Sequence, residues 1–393
     1  MTRVLTAGAV LLMTTSALSA AGIERTRNPY GNLFEDGGYM ELTFSNVFPN
    51  VEGDYSDQLA GVAVIGTDTT GNMAGDYFNI GFTYKNDLTD QLSFGLFLNS
   101  PYGADANYGQ GFYDGLFAEW NSRQLAALLK YKMNDNFSVY GGVRYVESEA
   151  RIILPDSLIR GGLLSSGNPQ AEFVGNNAPL GSLEYSAEAD RDGATGYVVG
   201  VAYERPEIAL RVSLTYESEL EYEFDSAEAL AGIPGQFEID DDTTTEIKMP
   251  QVVTLDFQTG IAQDTLLFGS VQWAEWSVWQ VEPPAYEELF NARVTGIDND
   301  AFTYQLGVGR RFSDDFSGFV RATHEPSNGD EASRLAPTDG RSSLGIGGSY
   351  TYENVEMTVG AEYIWLGDAT DGSDTEFEDN TAIGIGASFG FRF

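Results

Sequence analysis

Few residues in this chain of 393 could do covalent chemistry. The one histidine, His324, stands beside Glu325, a pair that in a hydrolase would serve as base and orienting acid. On an extended strand adjacent side chains point to opposite faces, so these two form no dyad. Cysteine is absent, which removes thiolate nucleophiles, thiolate metal centres and disulfides together. The acidic runs Asp240-Asp241-Asp242 and Asp368 to Asp379 lack the spaced-ligand loop of an EF-hand and read as solvated loop faces. Trp273, Trp276 and Trp279 repeat every third residue, which on a strand sets Trp276 opposite the other two and suits a girdle better than a ligand cage. The expectation is no catalytic residue, no cofactor and no resident metal.

Binding chemistry is better represented. A carboxylate ligand needs a cation beside an apolar slot, and bases are scarce: 21 Lys and Arg against 59 Asp and Glu, a formal net charge of −38. That balance excludes a nucleic-acid partner held by phosphate neutralisation. Arg151 and Arg160 flank an unusually apolar stretch, Ile152-Ile153-Leu154, Leu158-Ile159 and Leu163-Leu164. This stretch reads as an external capture groove, as a short amphipathic helix, or as the packed interior of a loop cap. Arg144, Arg211, Arg311, Arg321 and Arg392 fall at inward strand positions, where acids such as Glu217 and Glu362 would pair with them.

The elements that carry these residues are strands. Phe393, Phe391, Phe389, Ala387, Ile385 and Ile383 share one face, while Arg392, Gly390, Ser388, Gly386, Gly384 and Ala382 share the other. Segments of this kind lie near 38–48, 76–86, 90–100, 117–133, 136–152, 195–204, 208–225, 248–260, 265–280, 301–312, 316–325, 341–352, 355–367 and 380–393, fourteen in all. Their second face is mostly Gly, Ser and Thr, which suits a water-filled lumen better than the exterior of a soluble sandwich. Connections alternate between tight turns, such as Asn134-Asp135 and Glu353-Asn354, and long loops. Tyr131, Phe137, Tyr203, Phe312, Phe316, Tyr350, Tyr352 and Phe393 sit where strands end, as an interfacial girdle requires. The fold class is all-β, a transmembrane antiparallel β-barrel of fourteen strands spanning 38–393. Alternation shows lipid only every second residue, which accounts for a mean hydropathy of −0.21 in a membrane protein.

At the N-terminus, Arg3, the apolar run Val4 to Leu18 and the small residues Ser19 and Ala21 form a cleavable export signal over 1–21. Residues 22–37 then precede the first strand. Within them Asn28-Pro29 resembles the Asn-Pro-Ala motif in the N-terminal hatch of the FadL-type outer-membrane transporters of long-chain fatty acids and other hydrophobic compounds. Asn99-Ser100-Pro101-Tyr102-Gly103 is similar to that family's kinked third strand. Met249-Pro250-Gln251, Glu275-Trp276-Ser277 and Glu325-Pro326-Ser327 resemble further landmarks in the same order.

The resemblance implies a bacterial outer-membrane protein that catches a fatty acid or aromatic hydrocarbon with its external loops and binds it in an apolar pocket. Release is sideways through the third-strand kink once the hatch, with Asn28 and Pro29, rearranges. Arg151 matches a basic position of the family, and Phe393 its C-terminal aromatic, read by the barrel assembly machinery. The implied partners are that small ligand, membrane lipid and lipopolysaccharide, around a monomer. Asn-Pro is also a common turn starter, and Pro101 with Gly103 also ends strands. The glycine- and alanine-rich first half of the usual hatch is missing, which leaves open whether so short a plug fills the lumen. The alternative is a general diffusion porin or a structural or adhesive barrel.

Overall fold

The computed structural model describes residues 23–56, 67–329 and 332–393; the expected export segment 1–21 lies outside them. Seventeen ladder segments form one antiparallel sheet of fourteen strands, because three strands are each interrupted once. They are β1 (Tyr39–Asn50), β2 (Tyr77–Asp87), β3 (Leu92–Asn99 and Gly103–Asn107), β4 (Phe117–Lys132), β5 (Phe137–Leu154), β6 (Tyr185–Arg205) and β7 (Leu210–Glu217 and Leu220–Ile233). There follow β8 (Phe237–Met249 and Val252–Ala262), β9 (Thr265–Ala274), β10 (Ala301–Arg311), β11 (Phe316–Glu325), β12 (Arg341–Tyr352), β13 (Val355–Leu366) and β14 (Thr381–Arg392). Pairing of β1 with β14 closes the ring.

Alternation along each strand decides which side faces what. Phe78, Ile80, Val143, Leu306, Ile346 and Val359 project outward and are exposed, while Thr83, Thr215, Thr254, Ser343 and Thr358 point inward and are buried. An apolar belt around a polar interior is stable only with hydrocarbon outside. Six short connections lie at one end, where Ala209, Asp264 and Glu353 take left-handed φ angles of 52°, 54° and 55° to make tight reversals. The aromatic ring expected at this end is present, with Phe137 against Tyr203 at 4.9 Å and Phe312 against Phe316 at 5.7 Å.

At the opposite, loop end the structure departs from the sequence reading in four places. Strand β6 begins ten residues earlier than expected, at Tyr185. β7 and β8 continue past the breaks at Ser218-Glu219 and Pro250-Gln251, so the long loop expected between them is a hairpin with a turn at 234–236. Asp240-Asp241-Asp242 are therefore strand residues. The hairpin stands clear of the apolar belt and its outer face is polar, which hides a strand from a search for apolar alternation. The inner face keeps the pattern in Tyr222, Phe224, Leu230, Ile239 and Ile247.

Third, β9 stops at Ala274, and a 3-10 turn over Trp276–Val278 swings Trp276 and Trp279 into the barrel, where both are buried. They are not girdle residues. Fourth, Asp371, inside the run read as solvated, is buried. Its carboxylate accepts the Tyr113 hydroxyl at 2.6 Å and the backbone N–H groups of Ser373 and Thr375 at 2.8 and 3.1 Å. The loops, with helices α1 (Asp156–Ser165), α2 (Pro169–Asn177) and α3 (Pro284–Phe290), form an apolar cap around Tyr55, Tyr108, Tyr113 and Phe377.

Candidate functional site

Residues 23–37 run through the lumen and seat a short 3-10 helix, Tyr30–Phe34, at the turn end. Leu33 is fully buried among Phe97, Ala126, Leu128 and Val198, and Tyr30 meets Phe97 edge-on at 5.2 Å. Phe34 is held between the cations of Lys130 and Arg211, 4.5 and 4.6 Å from its ring. Short as it is, the segment is packed against the lumen wall on apolar and cation–π contacts. The turn is opened by Pro29, whose ring presets φ at −85° before it.

Asn28 is the hub of this hatch. Its amide donates to Glu217 Oε2 at 2.7 Å, and its carbonyl oxygen accepts from Asn99 at 3.0 Å and Gln124 at 2.5 Å. Glu217 also accepts from Tyr30 at 3.3 Å and from the buried Arg144 at 2.9 Å, and Arg144 donates on to the Ser218 carbonyl at 2.6 Å. The break in β7 thus leaves a carbonyl free to meet a buried guanidinium. Other inward arginines are paired as well: Arg321 with Glu362 at 2.5 Å, Arg392 with Glu35 and Glu356 at 3.0 and 2.9 Å, Arg311 with Asp264. Arg211 instead lies over Phe34.

The third strand opens the wall. β2 pairs with the first segment of β3 only from Phe82↔Leu98 to Asp87↔Ser93, and the second segment of β3 pairs with β4. Tyr77 to Gly81 therefore face Asn99 to Gly103 across a gap in the ladder. The gap is bounded above, where Asn107 N donates to the Met73 carbonyl at 2.8 Å. Pro101 has no amide to give and Gly103 offers no side chain to pack. From within, the hatch fills the gap as a short extra strand. Gly103 N donates to the Ile23 carbonyl and Arg25 N to the Pro101 carbonyl, both at 2.8 Å, and the Thr26 hydroxyl donates to the Ser100 carbonyl at 2.8 Å. The Arg25 guanidinium lies 3.6 Å from the centre of the Tyr77 ring, spanning the gap. Tyr102 turns inward and meets Trp276 edge-on at 6.2 Å.

Above this plug lies a cavity with about 800 Å³ of empty space, part of it open to solvent. Its walls include Ala104, Trp120, Ile152, Ile247, Trp279 and Leu335, and its floor is Ile23. Below the plug the lumen is polar: Arg27 bonds Asp256 and Ser270 at 2.8 and 2.9 Å, near Asn28, Arg211 and Glu217. Ile23 and Ala104 each belong both to the apolar cavity and to the edge of the wall gap.

The sequence-derived ligand residues are distributed differently from one another. Ile152 lines the cavity; Leu154, Ile159 and Leu163 are buried in the cap, Leu158 and Ile153 are half-buried, and Leu164 is exposed. Arg151 is exposed on the outward face, register partner of Glu119 and Glu188. Arg160 spends all five N–H donors inside its own loop, on Asp156 and on the carbonyls of Gly175, Ala178 and Pro179. Burial pushes the Asp156 carboxyl up, but the Arg160 guanidinium and the N–H groups of Leu183 and Gly181 outweigh it and hold the group below its ordinary range. Arg160 does not line the cavity, and Arg151, which borders it, is exposed on the outward side of its strand. His324 faces outward, 3.0 Å from Ser342, and Glu325 is buried inside.

Ile23, Arg25, Thr26, Tyr77, Gln124, Trp276 and Trp279 were not singled out for this site by sequence. Asn28-Pro29 and the length of chain before β1 signal a hatch, but nothing local marks which residues it meets.

The fold is that of solved outer-membrane proteins. A Pseudomonas aeruginosa FadL homologue superposes with a TM-score of 0.72 at 14% identity, covering 93% of each chain. The Pseudomonas putida toluene transporter TodX gives 0.64 at 12% identity, with 96% of this chain and 98% of that one covered. The Ralstonia pickettii toluene transporter TbuX gives 0.58 at 14%, covering 92% and 90%. No curated protein sequence matches the chain. The profile of the outer membrane protein transport family (OMPP1/FadL/TodX) matches residues 26–388, nearly the whole length, and the chain belongs to that family of the bacterial outer membrane.

Proposed function

We propose that the protein takes hydrophobic compounds from outside the cell into the apolar cavity beneath its loop cap and releases them sideways into the membrane through the gap between β2 and β3. The observation that carries this reading is the shared boundary: Ile23 and Ala104 border the cavity and the gap at once. Straight passage would drag an apolar molecule past Arg27, Asp256, Arg211 and Glu217. Lateral release returns it to hydrocarbon, a preference of roughly 0.8 kcal/mol per CH₂. Withdrawal of residues 23–26 from the kink is the opening step. A general diffusion porin is disfavoured by the hatch packed in the lumen. Residues 1–21 act as the cleaved export signal in this reading, and Phe393 as the assembly signal.

The absence of native cysteine allows a direct test. Glu24 and Tyr102 are bridge partners, so cysteines placed at both positions are near enough to cross-link. The Glu24→Cys/Tyr102→Cys double variant should lose uptake of a labelled hydrophobic compound when oxidised and recover it on reduction, with Tyr102→Cys alone as control. Equal uptake in oxidised and reduced cells sinks the lateral route.

A further inference from the structure

Among the described residues, the inward faces of the strands that wall the cavity carry no cationic side chain. Of its lining residues only Glu119 and Arg151 are ionisable, and strand alternation sends both outward while Ala118, Trp120, Ala150 and Ile152 face in. Arg151 is exposed, its guanidinium 6.0 Å from the Phe117 ring.

Bases in the neighbouring segments are engaged elsewhere. All donors of Arg160 are used within its loop, and Arg334 bonds Ser373 at 2.8 Å and Tyr113 at 3.3 Å, beside Asp371 at 3.7 Å. Arg293 is paired in two places with Asp298 at 2.7 Å. Arg25, two residues along the hatch from Ile23, lies against Tyr77 with Asp105 as its countercharge. The segments 57–66 and 330–331 contain no Lys or Arg. Acids stand nearby: Glu228 is buried beside the lining residue Ser226, and Glu24 follows Ile23 in the hatch. A carboxylate bound here would lose its water and meet no countercharge, in a chain of net charge −38. The polar groups without acceptors on lining residues are the indole N–H groups of Trp120 and Trp279, which suit a π face or a neutral carbonyl oxygen.

We propose that the cavity selects uncharged hydrophobic compounds, such as hydrocarbons and esters, against the carboxylate of the same chain length. This rests on the cavity being the transport site, as argued above. The test is a matched pair, methyl laurate and laurate, titrated at pH 8 onto the purified full-length protein in detergent, with tryptophan fluorescence as readout. Methyl laurate should bind at least tenfold tighter. Ala150→Lys, which places a cation on the inner wall, should raise laurate affinity at least tenfold and leave the ester unimproved. Equal or tighter laurate binding by the unaltered protein overturns the selectivity and leaves the lateral route standing. Binding of neither ligand overturns the selectivity too, and the cysteine-pair uptake test then decides the transport reading separately.

Discussion

Asn28 holds three partners that lie 71, 96 and 189 residues away along the chain. Its amide is one of three donors that satisfy Glu217, and Glu217 is the countercharge of Arg144, whose side chain is 1% exposed. Hydrogen bonds to a charged group contribute about 1.5–3 kcal/mol each. Asn28→Ala should therefore loosen the hatch without breaking the barrel: a higher conductance in planar bilayers than the parent, and an unchanged heat-modifiable band on a gel. An unaltered conductance would remove Asn28 from the gate. Asn28, Pro29 and the Asn99–Gly103 stretch were legible because motif and position coincide. Their partners were not, since Gln124 and Tyr77 are ordinary strand residues whose meeting with the hatch depends on the closed ring.

Among the elements, the strands within the lipid belt were readable and those beyond it were not. Alternation marks a strand only where its outer face is apolar, so β6 and the upper parts of β7 and β8 lost their signature where Glu, Asp and Thr take over outside. Helix α1 is different: its apolar residues were visible, but their burial in the cap was left open beside a capture groove.

The α1–α2 loop is pinned by Asp156, which accepts from Arg160 at 2.8 Å twice, from Leu183 N at 2.9 Å and from Gly181 N at 3.1 Å. Its pKa in the folded loop lies below the unfolded value. The contact therefore stabilises fully above the ordinary carboxylate pKa of about 3.9 and is lost as pH falls through the lowered folded value. Hydrogen exchange across 155–184 should be flat between neutral pH and about pH 5, once corrected for intrinsic rates, and rise at pH 3. Asp156→Asn should remove most of that step; a step of the same size in the variant would assign it to another group.

At the scale of the whole molecule, the barrel is divided by its hatch into an apolar upper chamber and a polar lower one, and the wall gap lies at the level of the divide. Under the proposed lateral route, that arrangement would set direction by chemistry alone. Fold class, strand number and the polarity of ends were all present in the sequence as periodicity and loop length. The two chambers were not, because they arise from Trp276, Trp279 and Ile23 being carried inward by a turn and a threaded segment.

The seam between β1 and β14 has a consequence in time. Every other ladder joins neighbours in the sequence and can zip as the chain is delivered, whereas the seam joins Tyr39 to Arg392 and Asn50 to Thr381, with Gly38 and Phe393 exchanging backbone hydrogen bonds at 3.1 and 3.0 Å. Contacts of such sequence separation are slow to form. Until residue 393 arrives, β1 presents an unpaired edge, and an open edge recruits other chains. A chain ending at residue 380 should therefore be recovered in aggregates with no heat-modifiable band, however well its first thirteen strands pair. The ring is sealed by the last of the fourteen strands to be made, so the waiting period before sealing, more than any single contact, is the stage at which a cell must guard this protein.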